Sequence, residues 1–437
     1  MKNKWFIASI LIVVLIGLCG ASMFAFWQGV SMADANGFRF HGFRANTVKA
    51  QATEEKNLTV NGPVALTLEN NFGDVSVQTG TDGQVNIKAE KTAWGSSEAD
   101  AQAALKDLKV IIEKDGNHIH VSVQQPADVD LMHIGPGGGS VKFTITVPKE
   151  SAATLHSSNG NVSLNGTGGA ADVSSDFGDV TLTDLSGAVL GQSSNGAVSA
   201  RNITSGEKIA LSSDFGSITL KGVAGSDVTA DSANGQITLT DVHASGLLKA
   251  NSQFGDIHVS NSQAGSAHLE SNNGKLEVEN LDISGKITAK SDFGDLTLTT
   301  VSADSYDLST QNGKISADGG MHGTIKAHSS FGAIEVLNAE NATVDLSSNN
   351  GSVTFSGSLG AGPHNLESDF GNIKISLPAE TALNVDLKTD FGKITSDFSL
   401  TINGEISDNH RSGTINGGGA TLTVNTNNGN ITLQSFK

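Results

Sequence analysis

The stretch that decides the fold is SSNGAVSARNITSGEKIALSSDFGSITL, residues 193–220. It opens on the motif Ser-Ser-Asn-Gly and returns 20 residues later to the related motif Ser-Asp-Phe-Gly, which ends at Gly216. Apolar residues alternate before that glycine at Ile209 and Leu211, and again after it at Ile218 and Leu220. This period of two is typical of a half-buried strand, and its phase changes across the glycine. The stretch therefore predicts two strands joined by a corner at Gly216.

The motif recurs along most of the chain at distances of 18 to 20 residues. Propeller blades need about 40 residues and helical repeats more than about 30, so this shorter period predicts one coil of a β-solenoid. The sequence thus predicts an all-β fold, a single-stranded β-helix of stacked coils. The predicted corner glycines are Gly178, Gly196, Gly216, Gly235, Gly255, Gly274, Gly294, Gly313, Gly332, Gly351 and Gly371.

Each coil is predicted to contain a strand, the glycine corner, a second strand and a more variable return. We expect glycine to supply a positive φ at the corner, because it has no Cβ. Fifteen glycines lie between Gly160 and Gly429 when the weaker coils at Gly392 and Gly413 are counted. Parallel strands stacked about 4.8 Å apart would then form a rod of about 70 Å.

A second period overlies the first, because the residue before the glycine alternates between Phe and Asn. Continued parity predicts that this residue points to the inner side of the corner, where a ring would cover the shorter Asn of its neighbours. The alternation breaks at Phe391, and the last coils resemble the others less, with no evident cap at the carboxyl end. The phenylalanines of the regular part are Phe177, Phe215, Phe254, Phe293, Phe331 and Phe370.

The amino terminus is apolar from Trp5 to Trp27 and is preceded by Lys2 and Lys4. As a helix, 23 residues span about 34 Å, enough to cross a bilayer with the lysines on the cytoplasmic side. We therefore expect residues 5–27 to anchor the chain in the cell membrane, with the remainder extracytoplasmic or at the cell surface. Two alternatives stay open: a signal cleaved after Ser31-Met32-Ala33, which would release the protein, and a lipoprotein signal ending at Cys19.

Four regions follow from these patterns. Residues 1–33 are the anchor or signal segment, 34–56 a tether, 57–150 a β-rich amino-terminal cap and 151–437 the solenoid repeats. The cap contains one predicted helix, Ser96–Leu108, with Ser96 or Ser97 as its N-cap. Such a cap would protect the first coil from edge-to-edge pairing.

Composition excludes more functions than it suggests. The chain has 437 residues and a formal charge of −18, which disfavours nucleic-acid binding. Cys19 is the sole cysteine, so the exported part has no disulfides. Aspartates beside the corners, such as Asp176 with Asp179 and Asp292 with Asp295, could bind calcium, but this position favours turn chemistry. We predict no catalytic residues, no metal site and no cofactor.

The Ser-x-Asn-Gly and Asp-Phe-Gly repeats resemble those of the bacterial putative-adhesin domain family, a family without an established activity. The resemblance covers roughly residues 55–437, and Val147-Pro148-Lys149 leading into Ser158-Asn159-Gly160 is similar to that family's entry into its repeats. It implies an anchored, extracytoplasmic β-solenoid with no catalytic residues.

Three functions of different classes are compatible with these features. The first is a non-enzymatic, adhesin-like surface rod that contacts an envelope protein or glycan. The second is a polysaccharide-active β-helix enzyme, disfavoured by the nearly constant coil length. The third is an ice- or mineral-binding face, suggested by the threonine pairs around Leu182, Leu239 and Leu298. The partner, the handedness of the coil and the oligomeric state do not follow from the sequence.

Overall fold

A computed structural model describes residues 48–125, 139–402 and 407–437. The predicted membrane segment 5–27, its alternative cleavage and lipid-attachment sites, and most of the predicted tether lie outside these residues. Within the described ranges, no helix has both the length and the apolar character needed to cross a bilayer.

The described chain forms one helix and a continuous sheet of 34 strands. The cap contains β1 (Val48–Thr59), β2 (Ala65–Phe72), β3 (Val75–Thr79), β4 (Gln84–Gly95), α1 (Glu98–Asp107), β5 (Lys109–Asp115), β6 (His118–Gln124) and β7 (Gly139–Val147). The coils contain β8 (Ala152–Asn159), β9 (Val162–Asn165), β10 (Ala171–Ser175), β11 (Val180–Thr183), β12 (Val189–Ser193), β13 (Val198–Thr204), β14 (Ile209–Ser213), β15 (Ile218–Gly225), β16 (Val228–Ser232), β17 (Ile237–Ser252), β18 (Ile257–Ser271), β19 (Leu276–Ile283), β20 (Lys286–Ser291), β21 (Leu296–Ser302), β22 (Ser305–Thr310), β23 (Ile315–Asp318), β24 (Gly323–Ser329), β25 (Ile334–Ser348), β26 (Val353–Leu359), β27 (His364–Ser368) and β28 (Ile373–Pro378). The carboxyl-terminal part contains β29 (Leu383–Thr389), β30 (Ile394–Ser396), β31 (Thr401–Ile402), β32 (His410–Ile415), β33 (Ala420–Thr426) and β34 (Ile431–Phe436).

The strands of successive coils pair in parallel and in register, so the predicted β-solenoid is confirmed. Strands before the corner stack on one side, as β14 does between β12 and β16, and strands after it stack on another. The apolar positions on both sides of the predicted corners are buried, including Ile209, Leu211, Ile218 and Leu220. They belong to one core cluster that extends from the cap to the last coil. Because no coil could bury its own apolar face, this core depends on stacking.

The cap is built on an antiparallel layer. Strand β4 pairs with β1 on one side and with β7 on the other. Residues 48–56, assigned to the tether from their polar composition, form the first part of β1, so that assignment is wrong for them. Pairing with β4 supplies the backbone hydrogen bonds of these residues, whose own sequence shows no strand pattern. Helix α1 lies against this layer through Ala101 and Leu105, and the Ser97 hydroxyl accepts the Asp100 amide at its N-terminus.

The first coil lies inside the cap. Strand β2 pairs in parallel with β8, which places Phe72 opposite Asn159, and β3 pairs in parallel with β9. Gly73 therefore occupies the corner below Gly160. The motif Asn71-Phe72-Gly73-Asp74 is a true coil that an insertion separates from the next one in sequence.

The left-handed residues lie at a different corner from the one predicted. None of the glycines predicted as corners has a φ in the left-handed region. Positive φ occurs instead six residues later in the coil, mostly at Gly, Asn and Asp, the residues that tolerate it best. This second column contains Gly166, Asp184, Asn202, Gly222, Asp241, Asn261, Asn280, Thr300, Gly319 and Asn338. The expectation of positive φ at the motif glycine is therefore wrong, and the reason for glycine there is steric, as shown below.

The order of coils at the carboxyl end differs from their order in sequence. Strand β33 pairs with β27 on one side and with β29 on the other, and β34 lies between β28 and β30 in the same way. The last coil of the sequence is therefore the penultimate coil of the rod. Strand β32 covers the outer edge of β29 in antiparallel pairing. The carboxyl end thus has a closing strand, and Gly413, predicted as a corner, lies within it.

His364 occupies a core position that is apolar in most other coils. Its Nδ1 accepts the Val344 amide at 3.4 Å, and its Nε2 lies 3.1 Å from the carbonyl oxygen of Gly360. Burial lowers the pKa of His364, although the bond to Gly360 partly opposes this. The folded protein therefore holds the ring neutral.

We expect this histidine to make the protein sensitive to acid. In the unfolded chain, the ring takes up a proton near pH 6.5, so the stability present above that pH is lost as the pH falls through 6.5 toward the lower folded pKa. His364→Leu should remove this component. The free energy of unfolding of both proteins, measured at pH 7.5 and 5.0, checks it. The exposed His328→Gln serves as the control. Equal losses in wild type and His364→Leu would contradict the assignment.

Candidate interaction ridge

The corner glycines form a single column along the rod. A Cβ built on any of them except Gly73 would lie within 3.0 Å of the carbonyl oxygen of the glycine in the adjacent coil, closer than real Cβ atoms approach, and a Cβ on Gly73 would meet the carbonyl oxygen of Val141 in the same way. Glycine is required because neighbouring backbones touch at this corner. In spatial order, the column contains Gly73, Gly160, Gly178, Gly196, Gly216, Gly235, Gly255, Gly274, Gly294, Gly313, Gly332, Gly351, Gly371, Gly429 and Gly392.

A buried hydroxyl three residues before the glycine explains the shape of the corner. In the coil of Gly274, the Ser271 hydroxyl accepts the Gly274 amide at 2.9 Å and donates to the carbonyl oxygen of Gly255 at 3.0 Å. The same pair of bonds recurs at Ser291 in the next coil. These bonds bend the chain immediately after the serine. Sequence reasoning missed this column, although its signal was the first Ser of each motif.

The bend places the phenylalanines outside. The six predicted corner rings are 62 to 67% exposed, so their predicted inward orientation is wrong. Parity holds only while the strand is extended, and the turn at the serine interrupts it. The rings at the two ends of the column, Phe72 and Phe391, are exposed as well, at 45% and 78%.

The alternation of Phe and Asn is unbroken in space. In the spatial order of the glycine column, the preceding residues are Phe72, Asn159, Phe177, Asn195, Phe215, Asn234, Phe254, Asn273, Phe293, Asn312, Phe331, Asn350, Phe370, Asn428 and Phe391. The break that the sequence shows at Phe391 disappears, because the coil of Asn428 lies between Phe370 and Phe391. We call this column the ridge and each of its positions a level.

The asparagine side chains of the ridge form hydrogen bonds to the neighbouring coil. The Asn234 side chain donates to the carbonyl oxygen of Asp214 at 2.9 Å, and Asn273 does the same to Gln253 at 3.0 Å. Asn is shorter than Phe and its amide bonds to the adjacent coil, so a level without a ring separates successive rings. Rings two levels apart are therefore separated by about 9.6 Å, twice the strand spacing.

Carboxylates flank the ridge on both sides. After the glycine, the side chains of Asp179, Asp256 and Asp295 each accept a backbone amide of the next coil at 2.8 Å, so these carboxylates link neighbouring coils. Before the ring, the flanking residue is acidic at five of the eight phenylalanine levels, namely at Asp176, Asp214, Asp292, Asp369 and Asp390. The position after the glycine also carries Lys275, Lys314 and Lys393, so the ridge is apolar at its crest and bears both charges along its base.

Glu270, on the side of the rod beside the ridge, does not have the pKa of a glycosidase acid. Burial of Glu270 opposes its ionisation, but hydrogen bonds from Lys290, at 3.1 Å, and from His268 lower the pKa of this carboxyl. A general acid of a glycosidase needs a raised pKa. Within residues 48–125, 139–402 and 407–437, no group of three or more His, Cys, Asp or Glu side chains could hold a metal ion.

The threonine pairs named in the sequence analysis do not form a continuous face. They lie on β11, β17 and β21, in coils that are three levels apart. At the levels between them, the equivalent strand positions carry other residues, such as His258 and Glu277.

Comparison with known proteins identifies the family. The family model described as Toastrack DUF4097 matches residues 65–299 and 269–434. The search of curated proteins gave no match.

Solved structures that resemble the chain include three crystal structures of bacterial proteins. A putative cell adhesion protein from Clostridium sporogenes is 9% identical, with 89% of this chain and all of that chain covered and a TM-score of 0.17. A putative adhesin from Bacteroides fragilis is 16% identical, with 74% and 97% covered and a TM-score of 0.21. A putative adhesin from Parabacteroides merdae is 12% identical, with 74% and 95% covered and a TM-score of 0.18.

The family match covers most of the chain and includes every coil of the rod. The repeat pattern, the stacked coils and this match agree, and the chain belongs to the Toastrack DUF4097 family.

Proposed function

We propose that this protein is a non-enzymatic, membrane-anchored, extracytoplasmic rod that makes contacts through its surface, in the manner of an adhesin or an envelope interaction module. The observation that carries the proposal is the ridge: eight exposed rings placed at every second level of the stack. Monomeric proteins rarely expose large contiguous apolar surface unless something binds it. A polysaccharide-active enzyme is a weaker candidate, because the outward carboxylates lie on coils of nearly constant length.

The proposal places the rod outside the cell and anchors it through the amino-terminal segment. Residues 5–27 have the length and flanking charge of an anchor with its amino end in the cytoplasm. The rod would then extend about 70 Å from the membrane if it stands upright.

A single cysteine can test the location of the rod, because Cys19 is the sole natural one. We expect Thr297→Cys, on the exposed face of β21, to react with a membrane-impermeant maleimide on intact cells or spheroplasts. Wild type and Leu298→Cys, at a buried position, are the matched controls and should remain unlabelled until the protein is unfolded. Labelling of Thr297→Cys only after the membrane is permeabilised would refute export.

The anchor is tested in the same cells. A protein that stays in the carbonate-washed membrane and retains residues 1–33 by mass spectrometry supports an anchor. Recovery of a shortened chain in the soluble fraction supports the cleaved signal instead.

A further inference from the structure

We propose that the ridge is a self-association surface, on which a second copy of this chain inserts its rings into the asparagine levels. The proposal rests on the proposed function in that it takes the ridge as the contact surface. It goes further by naming the partner, the register and the relative direction of the two rods.

The spacing of the rings fits this partner. Rings of one copy are about 9.6 Å apart, and the asparagine between them leaves a gap of one level. A second ridge shifted by one level would place its own rings in these gaps. Ring centres would then follow one another at about 4.8 Å, inside the 4.5–7 Å range that aromatic pairs prefer. A repeat of two levels therefore allows two identical ridges to interdigitate.

The area of the ridge is sufficient for a stable pair. At about 200 Å² for each side chain, the exposed parts of the eight rings amount to about 1,000 Å². A specific interface buries about 800 Å² on each partner. The exposed rings alone therefore provide enough surface area for a stable dimer.

Symmetry determines the direction of the two rods. A twofold axis parallel to the rods places each level opposite the same level of the partner, so rings would face rings. A twofold axis perpendicular to the ridge runs the rods antiparallel, and a shift of one level then places Phe opposite Asn throughout. Closed dimers are built on such an axis. Interdigitation therefore selects the antiparallel pair, the arrangement that two rods anchored in opposing membranes would adopt.

The test compares variants of the full chain in detergent by analytical ultracentrifugation. Phe254→Asn, Phe293→Asn and Phe331→Asn together introduce the residue that neighbouring coils already carry at this position, so the coils should still stack. We expect this triple variant to weaken the dimer at least about 100-fold, since buried aromatic residues dominate interfaces. Thr181→Asn, Thr238→Asn and Thr297→Asn, away from the ridge, should leave it unchanged.

A second pair of substitutions separates interdigitation from general hydrophobic attraction. Asn273→Phe with Asn312→Phe adds apolar area but fills two gaps. Interdigitation predicts a weaker dimer, by about 10-fold or more. A nonspecific apolar patch predicts a stronger one, and that result would overturn the proposed register.

Spin labels report the direction of the rods. With Asn272→Cys in a Cys19→Ala background, near the middle of the ridge, the two labels of an antiparallel dimer lie close together. With Asn427→Cys, near one end, they should be about 50 to 60 Å apart. Two short distances would indicate parallel rods and overturn the proposal. A monomer at 100 µM, with the same rings binding an envelope glycan, would overturn it and leave the proposed function intact. Loss of export in the maleimide experiment, with the dimer intact, would refute only the proposed function.

Discussion

Gly294→Ala is expected to destabilise the rod by about 4 kcal/mol or more, a loss that single substitutions rarely cause. The added methyl group would meet the backbone of Gly274 in the adjacent coil, with its carbonyl oxygen and carbon both within 3.0 Å. A flexible side chain could move aside, but this contact is with backbone that hydrogen bonds hold to the coils on both sides. The coils must therefore separate locally, which breaks the stack that forms the core. Chemical denaturation of the full chain measures the loss.

The matched control is Gly206→Ala. No heavy atom lies within 4 Å of a Cβ at Gly206, and its φ is outside the left-handed region. This substitution should be neutral or stabilising by up to about 1 kcal/mol, because alanine restricts the unfolded chain. Similar small effects at both glycines would show that the coils are not in contact at the ridge corner.

Removal of residues 420–437 should release the carboxyl-terminal part of the rod, because this segment lies between the coil of β27 and β28 and the coil of β29 and β30. Its four fully buried side chains, Leu422, Val424, Ile431 and Leu433, represent about 6 to 12 kcal/mol of burial. Both neighbouring coils lose a paired face at the same time. We expect amide hydrogens of residues 383–415 to lose their protection against exchange, while those near the cap keep it, since solenoid coils interact only with their neighbours.

An internal deletion of two coils should have a much smaller effect. Removal of residues 256–294 joins Gly255 to Asp295, restores the Gly-Asp junction and keeps Phe and Asn alternating. We expect a folded rod that is shorter by about 10 Å. If this deletion unfolds the whole chain, the coils are not independent units. If residues 383–415 stay protected in the protein that lacks residues 420–437, the proposed order of the coils is wrong.

Prediction of the coils succeeded because their information is local. The position of Ile218 or Leu220 relative to Gly216 repeats within each coil, and burial of one strand face follows from that parity. Helix α1 and its N-cap Ser97 were predictable for the same reason. The tether assignment failed at residues 48–56, because their structure comes from pairing with β4 and their own sequence carries little sign of it.

The ridge could be located but not oriented from sequence. Its residues were predicted at the corners, yet their exposure depends on hydrogen bonds between coils. The bonds of Ser271 to Gly255 and Gly274 turn the chain outward, and only one of them lies within its own coil. Left-handed residues such as Asn280 were also missed, because a polar residue in a return segment is not a specific signal for a corner.

The sequence by itself determined the period of the coil, the buried face of each strand and the alternation of Phe and Asn. Only the tertiary structure decided that the rings point outward and that Asn428 lies between Phe370 and Phe391. The physical reason is that parity along a strand is a property of the extended backbone. The order of coils along the rod depends on which strand edges pair with each other. The order of the strands in the sequence does not determine this pairing.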